Sequence, residues 1–375
     1  MNKPSISFII PYYKVELPLL ARAITSILRL GQKADWEVWV INDGTPGHEA
    51  EDYLGSLDDP RIHYHVQPNL GLGGARNTGM EMAQKEYIQF LDADDFLFQK
   101  AFSQILDVLG EKHPDLLSFE FKKVYHTGLW DTNVPAWQTV FQGSGTDFML
   151  KHNLHGCAWG YVFKKSILDG LRFTSGIYHE DEEFTPLLFL KARHVIITNL
   201  PAYAYFQRQY SIIHHPDRKI IKKRYSDLQH IILCLTDKGR QMEGNAAIAL
   251  SRRIDMLRMS MVYTLLGDSP DTAFLLETLE NMKRTGLYPL TPRFYSFPYT
   301  IVRWCTFKPL CAVVLSKMTA GILSVSANTV KAEVQGVRRQ YWSIFTAGVL
   351  KYLQITSIIR IRWYITKYLT IFVLF

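Results

Sequence analysis

The residues of this 375-residue chain best suited to chemistry are carboxylates at the end of an apolar run. Tyr87-Ile88-Gln89-Phe90-Leu91 leads directly into Asp92-Ala93-Asp94-Asp95. In an extended backbone side chains alternate with period two, so Asp92 and Asp94 fall on one side. Two aligned carboxylates form a hard-oxygen site for Mg²⁺ or Mn²⁺, ions that bridge protein carboxylates to a substrate diphosphate. A solvated acidic turn, or capping of a following helix by Asp94 or Asp95, accounts for the same four residues. A second acidic group, Glu180-Asp181-Glu182-Glu183-Phe184, precedes a helix-like run, where first-turn carboxylates answer the helix macrodipole.

The elements that must position these groups follow from periodicity. Residues 5–122 alternate short β-rich runs with helical patterns, the form of βαβ units and a doubly wound, mostly parallel sheet. Ser5–Ile10, Trp36–Ile41, Ile62–Val66, Tyr87–Leu91 and Leu116–Phe121 are predicted strands. Leu19, Leu20, Ala23, Ile24, Ile27 and Leu28 recur at helical spacing, and Ala75–Lys85 is a second predicted helix. Ligands of such sheets bind beyond the carboxyl ends of the strands. At those ends stand Pro11-Tyr12-Tyr13-Lys14-Val15-Glu16, Asn42-Asp43-Gly44-Thr45 and the stretch from Gln67 to Asn77, which holds Asn69, Gly71, Gly73, Gly74 and Arg76. Their chemistry suits a nucleotide: a tyrosine to stack on a base, an aspartate to accept from a base N–H, and glycines that admit close backbone approach. The glycines equally serve a turn, and Arg76 equally covers a sheet edge.

With these segments in view the sequence resembles the family 2 glycosyltransferases of the GT-A fold. SFIIPYYKVE, VINDGTPG, QPNLGLGGARNTG, YIQFLDADD and HEDEEF occur in that family's order and spacing, over roughly residues 5–215. The resemblance implies that Tyr13 stacks on the nucleobase and Asp43 hydrogen-bonds its edge. It places Asp92 near the ribose and diphosphate and Asp94 on the metal, Mn²⁺ or Mg²⁺, with Pro11, Glu16, Asn69, Arg76 and Asn77 lining or supporting the nucleotide. Asp181 then becomes the general base of a direct, inverting displacement, with Glu180 positioning the acceptor and Glu182 and Glu183 left as first-turn carboxylates. Such a step needs a carboxylate beside the acceptor hydroxyl, opposite the leaving diphosphate. The stretch Tyr205–Ile212 resembles the family segment that closes over the diphosphate, which makes Arg208 a phosphate clamp, and His214 or His215 could add a metal ligand. His155, Trp159 and Tyr161 occupy the stretch facing the acceptor; core packing explains Trp159 as well. Lys14 and Asn42 depart from the residues common in the family, Asn and Asp.

The rest of the chain sets the context. An apolar fraction of 47% with 21% charged residues excludes a disordered chain. Four scattered cysteines, Cys157, Cys234, Cys305 and Cys311, show neither zinc nor disulfide spacing, and the N-terminus reads as free of an export signal, so a reducing cytosol is expected. Between Lys122 and Thr146 the pattern lapses, 147–215 is mixed, and from Pro216 onward the chain reads as helical, giving a GT-A-type domain over 1–215 and a C-terminal helical region over 216–375. Residues 281–375 contain 13 Lys+Arg against Glu333 alone. In the tail, Arg360, Trp363 and Lys367 share one helical stripe. Basic, aromatic, amphipathic helices of this kind lie in a membrane interface, drawn to anionic headgroups. A helical cap on the catalytic domain is the alternative; nucleic acid is set aside because no recognition motif accompanies the charge. The expected partners are a nucleoside-diphosphate sugar, a glycan or lipid-linked acceptor of cell-surface polysaccharide synthesis, and the inner face of the cell membrane. A metal-dependent nucleotidyltransferase and a non-catalytic sugar-nucleotide-binding scaffold are the rival functions.

Overall fold

The computed structural model describes residues 3–125, 134–207, 217–268 and 271–307, with single helical positions up to 316. The chain divides into a unit over Met1–Leu315 and a second over Ser316–Phe375; nearly all of the second lies outside the described residues, as does the Arg360 and Trp363 stripe.

β1 (Ser5–Tyr12) is an apolar run buried on both faces, as a central parallel strand requires. It pairs in parallel with β2 (Asp35–Asp43) on one side and β4 (Tyr87–Phe90) on the other, and β2 pairs in parallel with β3 (Ile62–Gln67). The chain therefore winds outward to β3 and returns across β1 to β4, which puts the topological switch point between β1 and β4. α1 (Leu17–Leu28) and α2 (Glu49–Ser56) complete the outward half, and α3 (Gly71–Met82) makes the return. α3 begins four residues ahead of the predicted start at Ala75, so the glycine-rich stretch is the first turn of a helix and not a loop before it. Glycine is needed at Gly79 because a Cβ there would stand 2.2 Å from Ile9 Cγ2 of β1. Gly79→Ala should therefore cost about 1–3 kcal/mol, the usual penalty of overpacking, read as a lower urea midpoint at unchanged m-value.

Beyond β4 the sheet becomes mixed. β5 (Phe96–Leu97) and α4 (Gln99–Lys112) lead to β6 (Leu116–Val124), then β7 (Thr139–Gly143), α5 (Gly145–Lys151) and β8 (Tyr161–Lys164). β8 threads antiparallel between β4 and β6, and β6 pairs in parallel with β9 (Val195–Phe206), giving the order β3-β2-β1-β4-β8-β6-β9-β5 with β7 added beside β9. β7 falls in the stretch where the sequence pattern lapses; its side chains are mostly exposed, so no apolar alternation marks it.

Ile6, Phe8 and Ile10 of β1 pack with α1 and α4 on one face, while Ile9 packs with Ala75, Phe90 and Phe184 on the other. α6 (Glu180–Lys191) belongs to this second face and leads into α7 (Arg218–Arg240), α8 (Gly244–Asp268), α9 (Thr272–Arg284) and α10 (Phe297–Cys305). Leu187 of α6 joins the helical core formed by Ile231, Leu257 and Leu279, so the helices after residue 217 pack directly on the sheet-bearing half. Adjacent arginines of α8 reinforce the join: Arg252 donates to the carbonyls of Met149 and His152, and Arg253 to that of Leu154.

Candidate active site

The carboxyl ends of β1, β2 and β4 meet α3 and the first turn of α6, and their polar residues sort into three parts. At the end of β2, Asp43 is buried and its Oδ1 accepts from Gln67 Nε2 at 2.7 Å and from the Leu70 amide at 2.8 Å. Both donors act on one oxygen and leave Oδ2 with no hydrogen-bond partner among the described residues, as an acceptor for a base N–H requires. Gly44, at φ +86°, lets the backbone of Asn69 approach, since a Cβ would lie 3.1 Å from the Asn69 nitrogen. Asn42 closes the same turn by accepting from the Thr45 amide at 2.7 Å and donating to Tyr64 Oη at 2.7 Å. Opposite, Pro11 is buried, while Tyr13 is exposed with Lys14 Nζ 5.0 Å from its ring centroid. Asn69 and Glu16 are exposed as well, Glu16 as the N-cap residue of α1, whose carbonyl receives the Leu19 amide.

The second part is the aspartate turn. β4 ends at Phe90, and the Asp95 amide donates to the Asp92 carbonyl at 3.0 Å, so these residues form a tight turn. The alternation of an extended strand, from which Asp92 and Asp94 were expected to share a side, does not reach them. The turn is held instead by contacts no sequence motif announces. Asp95 is buried and accepts from Tyr203 Oη at 2.8 Å and from the Phe206 amide at 2.7 Å; Tyr203 Oη in turn accepts from the Asp92 amide. Arg22 of α1, lodged between the rings of Phe96 and Phe206, donates to the Asp94 carbonyl at 2.6 Å. Burial, with Asp94 and Asp92 nearby, pushes Asp95 well above the usual carboxylate range. Asp92 and Asp94 are only half-buried.

The third part joins the turn to α6. Arg76 of α3 is buried and its guanidinium spans two carboxylates, Nη1 to Glu180 Oε1 at 2.5 Å and Nη2 to Asp92 Oδ1 at 3.0 Å. Burial works against its charge, but Asp92, Glu180 and Asp181 outweigh burial and raise its pKa. Burial raises Glu180, with Arg76 pulling the other way. Asp181 differs: its carboxylate makes no hydrogen bond or ion pair with any described residue, and burial together with Glu180 and Glu182 lifts it well above its ordinary value. The remaining acids of the turn are occupied, Glu182 by Arg253 Nη2 and Glu183 by Thr174 Oγ1 at 2.6 Å. Asn77 spends both ends of its amide on the backbone of Phe173, at 2.9 Å each, which makes it a support of the loop before α6.

Of the residues expected to face an acceptor, His155 is exposed, and Trp159 is half-buried in a stack with Tyr203 (centroids 4.4 Å apart, planes at 15°) and Tyr205 (5.6 Å, 17°), edge-on to Phe121. Tyr161 is buried and bonded to Thr185 Oγ1 at 3.0 Å, a core residue. Arg208, His214 and His215 lie outside the described residues. Among the described residues no group of three His, Cys, Asp or Glu side chains stands ready to hold a metal unaided. The donor set still fits a hard divalent ion: two half-buried carboxylates, one with Oδ1 fixed by Arg76, suit an ion that takes its other ligands from substrate phosphates and water.

Residues 7–171 match the model of glycosyl transferase family 2. An uncharacterized glycosyltransferase of Bacillus subtilis, EpsJ, is 31% identical over 57% of this chain and 64% of its own length. GlyA, a glycosyltransferase of Streptococcus pneumoniae, is 27% identical over 72% of this chain and 39% of its own. The chain thus spans less than two thirds of these relatives. The structure of S. aureus TarS 1–349 in complex with UDP-GlcNAc aligns with a TM-score of 0.50 at 14% identity, covering 84% of this chain and 92% of that one, a likeness of fold.

Proposed function

We propose that the chain transfers a sugar from a nucleoside diphosphate, a UDP-sugar foremost, to a hydroxyl of a glycan or lipid-linked acceptor, with inversion, a reading supported by the match of residues 7–171 to the glycosyl transferase family 2 model. The observation that carries this reading is Asp181: a carboxylate with raised proton affinity and no hydrogen-bond or ion-pair partner among the described residues, one residue from the Glu180–Arg76–Asp92 bridge. Tyr13 stacks on the base, Asp43 accepts from its edge, and Asp92 and Asp94 face the diphosphate. Asp92 and Asp94 would hold Mn²⁺ or Mg²⁺, which when bound would supply positive charge to offset the negative charge developing on the leaving diphosphate. Asp181 accepts the proton of the acceptor hydroxyl as its oxygen attacks the anomeric carbon from the face opposite the diphosphate. One displacement inverts that centre. Glu180, fixed by Arg76, holds the first turn of α6 so that Asp181 keeps this aim, and Trp159 offers a ring to the acceptor.

The test is a panel of UDP- and GDP-sugars with purified full-length protein in detergent, with nucleotide release as the readout. Release of UDP with an inverted product linkage is expected; pyrophosphate would mark a nucleotidyltransferase, and binding without turnover a scaffold. Chelation by EDTA should lower turnover by at least about tenfold, with Mn²⁺ or Mg²⁺ restoring it; unchanged turnover would remove the metal from this scheme.

The same reading sets the reaction at the cytoplasmic face of the cell membrane, in surface polysaccharide synthesis. Among the described residues no helix is long and apolar enough to cross a membrane. The excess of cations after Asn281 supports a peripheral attachment.

A further inference from the structure

α10 is apolar on both of its faces. A surface helix of a globular protein ordinarily turns one apolar stripe inward and a polar face outward. Inward, α10 is well satisfied: Tyr299 is fully buried and donates to the Thr291 carbonyl at 2.9 Å, Val302 packs on the helical core, and Thr306 is buried with its carbonyl taken by Tyr288 Oη. Outward it carries Ile301 at 39% exposure and Trp304 at 73%, one turn apart on the same side. The stripe continues past the helix, where the Phe307 amide returns to the Trp304 carbonyl and the Phe307 ring stands 63% exposed. Phe294, just before the helix, is 77% exposed. Single exposed apolar residues are ordinary, but consecutive ones along a helix mark an interaction surface.

Charge selects the partner. From Asn281 to Leu315 there are five Lys+Arg and no Asp or Glu. A second copy of the chain docked on this face would bring like charges together. So would the chain's own last 60 residues, which carry eight Lys+Arg against Glu333 alone. A surface that is apolar below and anionic above satisfies both components, since aromatic rings settle at the depth of lipid headgroups and each nearby cation adds attraction to anionic lipid.

We infer that the outer face of α10, Ile301, Trp304 and Phe307, is a docking surface for an anionic lipid bilayer. It gives the membrane-face reading above a specific place on the molecule, and it does not depend on the transferase chemistry. The full-length protein is tested without any donor by co-sedimentation with phosphatidylcholine vesicles, with and without 30 mol% phosphatidylglycerol. Binding should be at least tenfold tighter to the anionic vesicles and weaken with salt. The triple variant Ile301→Ser, Trp304→Ser, Phe307→Ser should lose at least tenfold of that binding while releasing UDP from donor at the wild-type rate. Trp304→Phe, which keeps an aromatic ring, should bind normally but lose part of the quenching that brominated lipid imposes on wild-type tryptophan fluorescence. Equal binding of the triple variant, or undiminished quenching in Trp304→Phe, overturns the assignment. A triple variant that binds vesicles as before but changes oligomeric state overturns it in favour of a protein partner. Failure of UDP release in the wild type would count against the transferase reading and leave the vesicle result standing.

Discussion

Replacing Asp181 with Asn should lower the rate of sugar transfer by about 10²–10⁴-fold, the contribution of a positioned general base. UDP affinity, measured by calorimetry, should stay within a few-fold, because no nucleotide-facing group is altered. Asn keeps the shape of the carboxylate but cannot accept a proton. The other acids of this turn cannot replace it, since Glu180 is held by Arg76, Glu182 by Arg253 and Glu183 by Thr174. Turnover within tenfold of wild type would remove Asp181 from the base role.

The raised proton affinity of Asp181 gives that prediction two further handles. Only the ionised form accepts a proton, so the wild-type rate should climb with pH through a pKa above the ordinary aspartate value of about 4, and the residual rate of Asp181→Asn should lack that limb. The stability change has the opposite sign to the activity change. A carboxylate whose folded pKa exceeds its unfolded value favours the fold while protonated in both states, and that contribution is lost as pH rises through the folded pKa. Above its folded pKa the wild type therefore carries a half-buried charge with no partner among the described residues, which Asn removes, and at such pH the melting temperature of Asp181→Asn should equal or exceed that of the wild type, by differential scanning calorimetry. A variant both inactive and less stable would point to a structural role.

The sheet was legible because parallel strands buried on both faces are written as nearly continuous apolar runs, as in Ser5–Ile10, and because motif residues sit at their carboxyl ends. What holds those residues was not legible, since each partner comes from a distant element. Tyr203 is 108 residues from Asp95, and Arg253 is 71 from Glu182, on a long helix with no local signature. Arg22 did leave a signal: it lies among Leu19, Leu20, Ala23 and Ile24, a cation within an apolar stripe, which calls for a specific partner. That partner is the Asp94 carbonyl. For Asn77 the segment match indicated the neighbourhood and the contacts define the work, a clamp on Phe173. For Arg76 the local sequence fits both a functional residue and a cover for the sheet edge, because it cannot show that the two ends of the guanidinium meet carboxylates from different parts of the chain.

That double contact makes Arg76 a position where substitution should cost the fold heavily. Arg76→Met removes the cation and leaves Glu180 buried without its partner, a type of change that destabilises by about 3–5 kcal/mol, which urea denaturation would resolve. Burial already raises Glu180 against the pull of Arg76, so in the variant its pKa should rise further, and the stability deficit should shrink at acid pH, where the carboxyl is neutral. Replacing the pair together separates charge from structure: Arg76→Met with Glu180→Gln should recover part of the lost stability, because the buried charge of Glu180 is removed with its partner, but not the rate, because the aspartate turn and the first turn of α6 are no longer tied. Arg76→Lys supplies a charge without the planar fork, so it can neutralise one carboxylate but cannot span both. It should keep more stability than Arg76→Met and still lower kcat by about tenfold or more, as expected when reacting groups lose their mutual aim. If Arg76→Met folded with wild-type stability and transferred sugar within a few-fold of the wild-type rate, the two acidic turns would have to be positioned independently of each other.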